Sequence, residues 1–373
     1  MERASPRTTD IVTRAAPPAP VAETDLFGLD QDRLTALVAA MGQPPFRARQ
    51  IYRWLYRRFA PSIEEMTNLP LSLRRQLAER FTLRRPEPIE RLVSRDGTTK
   101  YLFALEGGAM VESVLIPEPG RRTLCLSTQA GCPLRCAFCR TGLDGFQRNL
   151  SAAEILGQAA VIMSDVREND RPWNVVVMGM GEPLLNFEAV RGAMRILMDP
   201  EGYGVPPRRL TLSTVGVLPA LERLLERPPL PNLAISLHAS RPDLRRALMP
   251  IEARFPIKDV LAVARRYPLP RGGRLTFEYV LIHGVNDSPR EARELIRLLA
   301  GIHGKVNLIP LNPAPEIPYE PSTTEAVDAF ARLLAEAGMT VSVRRPRGRD
   351  VYAACGQLCS RDSGRRPSNR NPH

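Results

Sequence analysis

The 373-residue chain lacks any run of roughly 18 apolar residues, so no segment reads as a membrane span. Its N-terminal stretch is rich in Pro, Ala and Arg and lacks the apolar core of a secretory signal. Residues 1–25 are therefore expected to form a disordered arm. Lysine is almost missing and occurs only as Lys100, Lys258 and Lys305. The net charge is nevertheless +12 and the pI near 9.9, carried by arginine. That balance points to a polyanionic partner, nucleic acid or an anionic membrane surface. Arginine standing in for lysine on an ordinary solvated surface produces the same count. Cysteine is scarce too. There are six, and Cys125, Cys132, Cys136 and Cys139 fall within 15 positions, with Cys355 and Cys359 near the C-terminus. A disulfide framework does not suit a chain of this length without an export signal. The tight spacing favours a metal or redox site.

What is present describes an ordinary globular protein, 43% hydrophobic and 25% charged, long enough for one large α/β domain and a small one. Residues 30–41 read as a short helix capped by Asp30 and ended by Gly42. A second helix is predicted over 46–58, with Phe46, Ile51, Trp54 and Leu55 as its buried stripe. Arg47, Arg49, Arg53, Arg57 and Arg58 make its other face basic, as a solvated face or an RNA contact. A third helix over 71–81 completes a small basic helical domain, residues 26–85. Residues 86–121 alternate like strands around the Asp96-Gly97 and Gly107-Gly108 turns and are expected to form a short antiparallel β linker.

From residue 122 the pattern becomes strand, then helix, repeatedly. Strands are expected at 123–128, 174–178, 209–213, 233–237, 274–282 and 305–309. A helix over 151–164 should open on a capping box of Ser151 and Glu154. Six such units predict a partial (β/α)6 barrel over residues 122–350, with its site at the C-terminal strand ends. A last strand over 340–344 leads to a C-terminal segment, residues 351–373, with a basic tail.

Cys132, Cys136 and Cys139 form CxxxCxxC in GCPLRCAFCRT. Three thiolates on one short loop hold three irons of a cubane and leave the fourth iron open. A zinc site with a distant fourth ligand is the competing reading. Zinc sites, however, favour paired CxxC units, and none of the four histidines, His238, His283, His303 and His373, lies nearby.

This motif resembles that of the radical S-adenosylmethionine (SAM) superfamily. The resemblance implies a [4Fe-4S] cluster whose open iron chelates SAM and cleaves it reductively. It implies SAM contacts at Gly181 and Glu182 in GMGEP, Ser213 in TLSTVGV, Ser236, Leu237 and His238 in AISLHAS, and Asn312 in LIPLNP. The segments TLCLSTQAGCPLRCAFC, GFQRNL, GMGEPLLN, AISLHA, NLIPLNP and RGRDVYAACGQL together resemble the dual-specificity ribosomal and transfer RNA adenine-C2 methyltransferases, from about Phe27 to Leu358. Their relatives that methylate adenine at C8 share much of the framework. GFQRNL and the basic N-terminal helix look closer to the C2 enzymes.

The family resemblance implies a mechanism. A first SAM methylates Cys355, and a second yields the radical that removes hydrogen from that methyl group. The methylene radical adds to adenine C2. Glu112 in MVESVLIPE accepts the C2 proton, with Cys125 a competing acceptor. Cys125 then attacks the Cys355 sulfur, giving a transient disulfide and free RNA. Cys359 has no role in the family and is expected to be a bystander. The implied partners are 23S rRNA (adenosine 2503) and tRNA (adenosine 37), with a reductant such as flavodoxin or ferredoxin, in a cytoplasmic monomer without a membrane. A non-catalytic RNA-binding protein with a structural cluster is the alternative from another class; the presence of both Cys125 and Cys355 argues against it. Arg344, Arg345, Arg347 and Arg349 flank Cys355 and are placed to meet phosphates.

Overall fold

The computed structural model describes residues 25–166, 172–270 and 272–360. The expected arm, Asp25 apart, and the tail beyond residue 360 lie outside the described residues.

Three helices open the described chain: α1 (Gln31–Ala40), α2 (Phe46–Tyr56) and α3 (Leu71–Arg80). Asp30 Oδ1 caps α1 by accepting from Arg33 N at 2.9 Å. The buried stripe of α2 differs from the prediction. Phe46 is 53% exposed, with the Arg47 guanidinium over its ring, whereas Tyr52 and Tyr56 are buried. The two tyrosines go inward because their hydroxyls find partners there. Tyr52 donates to Asp199 Oδ2 at 2.9 Å, and Tyr56 donates to the Leu29 carbonyl at 3.0 Å. Phe46, at the first helical position, has no wall to pack against.

The strands are β1 (Glu87–Val93), β2 (Thr99–Ala104), β3 (Met110–Glu118), β4 (Arg121–Cys125), β5 (Gln129–Gly131), β6 (Phe146–Asn149), β7 (Trp173–Val177), β8 (Leu210–Thr214), β9 (Asn232–Ser236), β10 (Leu275–Leu281), β11 (Gly304–Pro310) and β12 (Thr340–Val343). Ten make one sheet in the order β1-β2-β3-β4-β7-β8-β9-β10-β11-β12. The run from β4 to β12 is parallel, so the six expected barrel strands are present with β12 as a seventh. Parallel strands covered on both faces are mostly apolar and wholly buried, as in β10, where every residue of LTFEYVL is buried.

The antiparallel strands β1, β2 and β3 continue the same sheet, because β3 pairs along its edge with β4 (Val114 opposite Cys125). Their hairpin then reaches the far edge. Asp350 accepts from Arg95 N at 3.1 Å, and Asp96 accepts from Gly348 N at 3.1 Å. The loop after β12 is thereby tied to the β1–β2 turn, which fixes where the segment carrying Cys355 runs. The small β5–β6 pair was not predicted, since three- and four-residue strands leave too little alternation to read.

Two further helices frame the site: α4 (Arg140–Asp144) and α5 (Ala152–Asp165). The capping box at α5 is formed. Ser151 Oγ accepts from Glu154 N at 3.1 Å, and Glu154 Oε2 accepts from Ser151 N at 2.9 Å. Among the described residues no helix is long and apolar enough to cross a membrane.

Candidate active site

The cysteine loop leaves β5, passes Cys132, Cys136 and Cys139, and enters α4 with Cys139 at its N-terminus. Gly131 begins it at φ +73°, and a Cβ there would lie 1.8 Å from the Gly145 carbonyl oxygen, so only glycine lets the loop close on β6. Cys132 and Cys136 are buried and Cys139 partly so. Burial pushes all three thiols up, most strongly at Cys136. Buried thiols of this kind suit soft thiolate ligation, where the iron supplies positive charge to offset the thiolates. Among the described residues no three His, Cys, Asp or Glu side chains close on a single-ion site. A cubane does not ask for one, because each thiolate takes its own iron.

The three sulfurs line a cavity of about 170 Å³ with Gly181, Glu182, Ser213, Ser236, His238, Asn312 and Cys355. Seven of the residues expected around SAM and the methyl carrier are thus brought together from four strand ends and the C-terminal segment. Leu237 is fully buried behind this wall. Asn312 donates to the Cys355 carbonyl at 3.2 Å, yet its Oδ1 is buried without a partner. An orphaned acceptor on a cavity wall fits a donor of a bound ligand, so these residues fit a cluster with SAM.

Gly181 has φ +100°, and a Cβ would sit 2.6 Å from Gln129 Cβ. The Glu182 carboxylate accepts from Leu184 N (3.0 Å), Thr214 Oγ1 (2.6 Å) and Val215 N (3.0 Å). It braces the loop against the end of β8. Burial raises its pKa to about 7 against these three bonds. His238 also has a left-handed backbone, φ +57°. Its Nδ1 accepts from Val280 N at 3.0 Å, and burial lowers its pKa to about 3. The ring is therefore neutral with its proton on Nε2, a donor at the cavity wall.

Sequence reasoning missed Arg245, a fully buried side chain. It pairs with Glu252 and donates to the carbonyls of Leu237 (3.1 Å), Val215 (3.2 Å) and Ser236 (3.1 Å). It thus holds two strand ends of the SAM-type cavity from behind. Arg245→Met leaves Glu252 buried and unpaired and is expected to cost about 3–5 kcal/mol of stability, with Glu252→Gln in addition recovering part. Urea denaturation checks this; a loss under about 1 kcal/mol contradicts the brace. Glu278, a lone carboxylate in the apolar strand β10, was also missed. Its isolation in that run was the available signal. It is buried, which raises its pKa, and accepts from Asn307 Nδ2 at 2.7 Å.

Cys355 is exposed and sits in a turn whose left-handed residue is Gly356, φ +82°. Its segment is pinned to α4. Arg140 N donates to the Gly356 carbonyl at 2.8 Å, and Thr141 Oγ1 to the Leu358 carbonyl at 2.7 Å. Gln357 Nε2 adds a bond to the Pro313 carbonyl at 2.7 Å. Cys355 also lines a second, larger cavity of about 640 Å³, and Cys125 lines that cavity as well. Burial, and then the neighbouring Cys355, push the Cys125 thiol to about 12, while Arg344 acts in the opposite direction. None of the six cysteines is in a disulfide among the described residues. Glu112 lies on neither cavity wall. It is buried, its Oε1 is 2.7 Å from Lys100 Nζ, and its Oε2 accepts from Cys359 N at 2.9 Å. Burial raises its pKa against those partners. Cys359 thereby has a structural use through its amide.

A sequence model of the radical SAM superfamily matches residues 126–298, and one of the ribosomal RNA large subunit methyltransferase N-terminal domain matches residues 24–83. The dual-specificity RNA methyltransferase RlmN of Magnetococcus marinus is 46% identical over 345 residues, covering 92% of this chain and 97% of its own. The chain belongs to the RlmN family. The RlmN of Marinobacter nauticus is 47% identical, with 91% and 93% covered. The crystal structure of a radical SAM methyltransferase from Sphaerobacter thermophilus superposes with a TM-score of 0.85 at 44% identity, covering 90% of this chain and 99% of that one. The RlmN family is a radical SAM family, and its cofactors are a [4Fe-4S] cluster and SAM.

Proposed function

We propose that the protein methylates adenine at C2 in RNA, at adenosine 2503 of 23S rRNA and adenosine 37 of tRNA, with Cys355 as the methyl carrier. One observation carries the reading: Cys355 stands in the wall shared by the cavity of the three loop thiols and the cavity that holds Cys125. A carrier must meet a methyl donor on one side and its acceptor on the other.

Cys132, Cys136 and Cys139 would hold the cluster. Gly181, Ser213, Ser236, Leu237, His238 and Asn312 would hold SAM, with Glu182 bracing them. Bound there, the cluster and SAM supply a methyl group and a hydrogen-abstracting radical, two SAM per turnover, with the electron coming from a protein such as flavodoxin or ferredoxin. The Cys355 thiolate takes the methyl group by displacement, a polar step suited to sulfur. After loss of one hydrogen, its carbon bonds to adenine C2, which is electrophilic and carries no acidic proton. The adduct loses the C2 proton and one electron, for which the cluster held by Cys132, Cys136 and Cys139 would be the acceptor. Cys125, on the cavity wall, is one proton acceptor; Glu112 takes that proton only once its bond to the Cys359 amide opens. Cys125 then bonds to the Cys355 sulfur as the S–C bond breaks. The released carbon picks up a proton, leaving a methyl group on the base and a Cys125–Cys355 disulfide.

The test is anaerobic reconstitution with iron and sulfide, then SAM, reductant and unmodified 23S rRNA. Nucleoside mass spectrometry is expected to show 2-methyladenosine. 8-Methyladenosine in its place assigns the chain to the C8 branch. A protein that holds zinc, or rRNA that stays unmodified, sinks the reading.

A further inference from the structure

The larger cavity is unevenly charged. Seven basic side chains line it against two carboxylates, Glu118 and Glu278. Both carboxylates are engaged: Glu118 by Arg121 at 2.7 Å and Glu278 by Asn307. Three of the basic groups stand at one end. Arg208 and Arg209 form the turn just before β8, and Lys305 is the second residue of β11. Arg345, just past the C-terminal end of β12, lines the same cavity from the opposite end. None of these four makes an ion pair among the described residues, and Arg208, Lys305 and Arg345 are exposed. The three unpaired cations around the strand-start opening repel one another, and an anion relieves that repulsion.

The other end of the barrel is occupied by the cysteine loop and the segment that carries Cys355. The C-terminal strand ends carry the cysteine loop, and the segment 353–360 lies over it, pinned through Arg140, Thr141, Asn312 and Gln357. An incoming polymer meets an occupied face there, although (β/α) barrels ordinarily take their substrates on that side. The helical domain is a weaker rival than its arginine count suggests. On α2, Arg47 bonds to Gln50 and Arg53 pairs with Glu201, and beyond its end Arg58 lies over Trp54.

We infer that RNA enters from the strand-start side, its phosphates meeting Arg208, Arg209 and Lys305, while the unstacked adenine reaches along the lumen to Cys355. At about 640 Å³ the lumen lies in the range that encloses a small ligand, which suits a nucleotide rather than a helix. Single-stranded recognition of this kind tracks the backbone with cations and leaves the base free for chemistry. The inference rests on the RNA methyltransferase reading and adds the route.

The experiment uses the reconstituted full chain and an unmodified tRNA transcript. Affinity is measured by anisotropy across a salt series for the wild type, Arg208→Gln/Arg209→Gln, and Lys305→Glu. Each variant is expected to bind RNA at least about tenfold more weakly near 0.1 M salt. The slope of log K against log salt should fall by roughly 0.7 per lost contact. SAM binding, and methylation of Cys355 read by protein mass spectrometry, should stay at wild-type level, which also reports that the variants fold. Removing the same charge at Arg49 and Arg57 should weaken binding less. If the cavity variants bind RNA as tightly as the wild type, or the helix pair matters more, the route is wrong while the function stands. If the wild type neither binds nor methylates RNA, both readings fall.

Discussion

Cys355→Ala is expected to abolish RNA methylation, at least about a thousandfold, while SAM binding and iron content stay unchanged. The sulfur is all that is removed. The anchors of the segment use the Cys355 carbonyl, bonded by Asn312, and the Gly356 carbonyl, bonded by Arg140, and alanine keeps both. The cavities on either side remain, so SAM still has its walls and RNA its lumen. What disappears is the one thiol outside the cluster loop that lines both. Nucleoside mass spectrometry of the RNA, with peptide mapping for S-methylcysteine, measures it. Methylation at the wild-type rate by the alanine variant would remove the carrier role.

Cys125→Ala produces a different failure: RNA stays covalently attached to the protein. Cys125 shares the larger cavity with Cys355. Buried, and beside Cys355, its thiol is held near 12 and is protonated at neutral pH until a base or the turnover itself takes the proton. Arg344, which sits on the wall of both cavities, favours the thiolate of Cys125. Without Cys125 nothing on the wall is placed to displace the carbon from the Cys355 sulfur. A denaturing gel should show protein and RNA migrating together, and nuclease digestion should leave a nucleotide on Cys355. Free methylated RNA released over many turnovers by the variant would rule out the resolving role.

Much of the site was readable because it is local. CxxxCxxC brings three sulfurs onto one loop in any fold that lets the loop close, and Gly131 supplies the closure. Strand-end residues such as Gly181, Ser213, Ser236 and Asn312 could be grouped because a parallel β/α alternation sends all its strand ends to one side. Phe46 and Tyr52 show the limit. Hydrophobicity ranked phenylalanine inside and tyrosine outside, but Asp199, 147 positions away from Tyr52, supplies the hydroxyl partner that reverses the order.

The residue types and their spacing determined the alternation of strands and helices, the cysteine loop and the candidate thiols, since each depends on neighbours a few positions apart. Tertiary structure alone decided that β1–β3 extend the barrel sheet, that Arg245 braces its strand ends, and that Glu112 is spent on Lys100 and the Cys359 amide. It also decided that Cys125 and Cys355, far apart in the chain, face one lumen. Those outcomes depend on which distant groups burial brings together. Desolvated charges and donors must find partners wherever the fold puts them, and no local pattern encodes that choice.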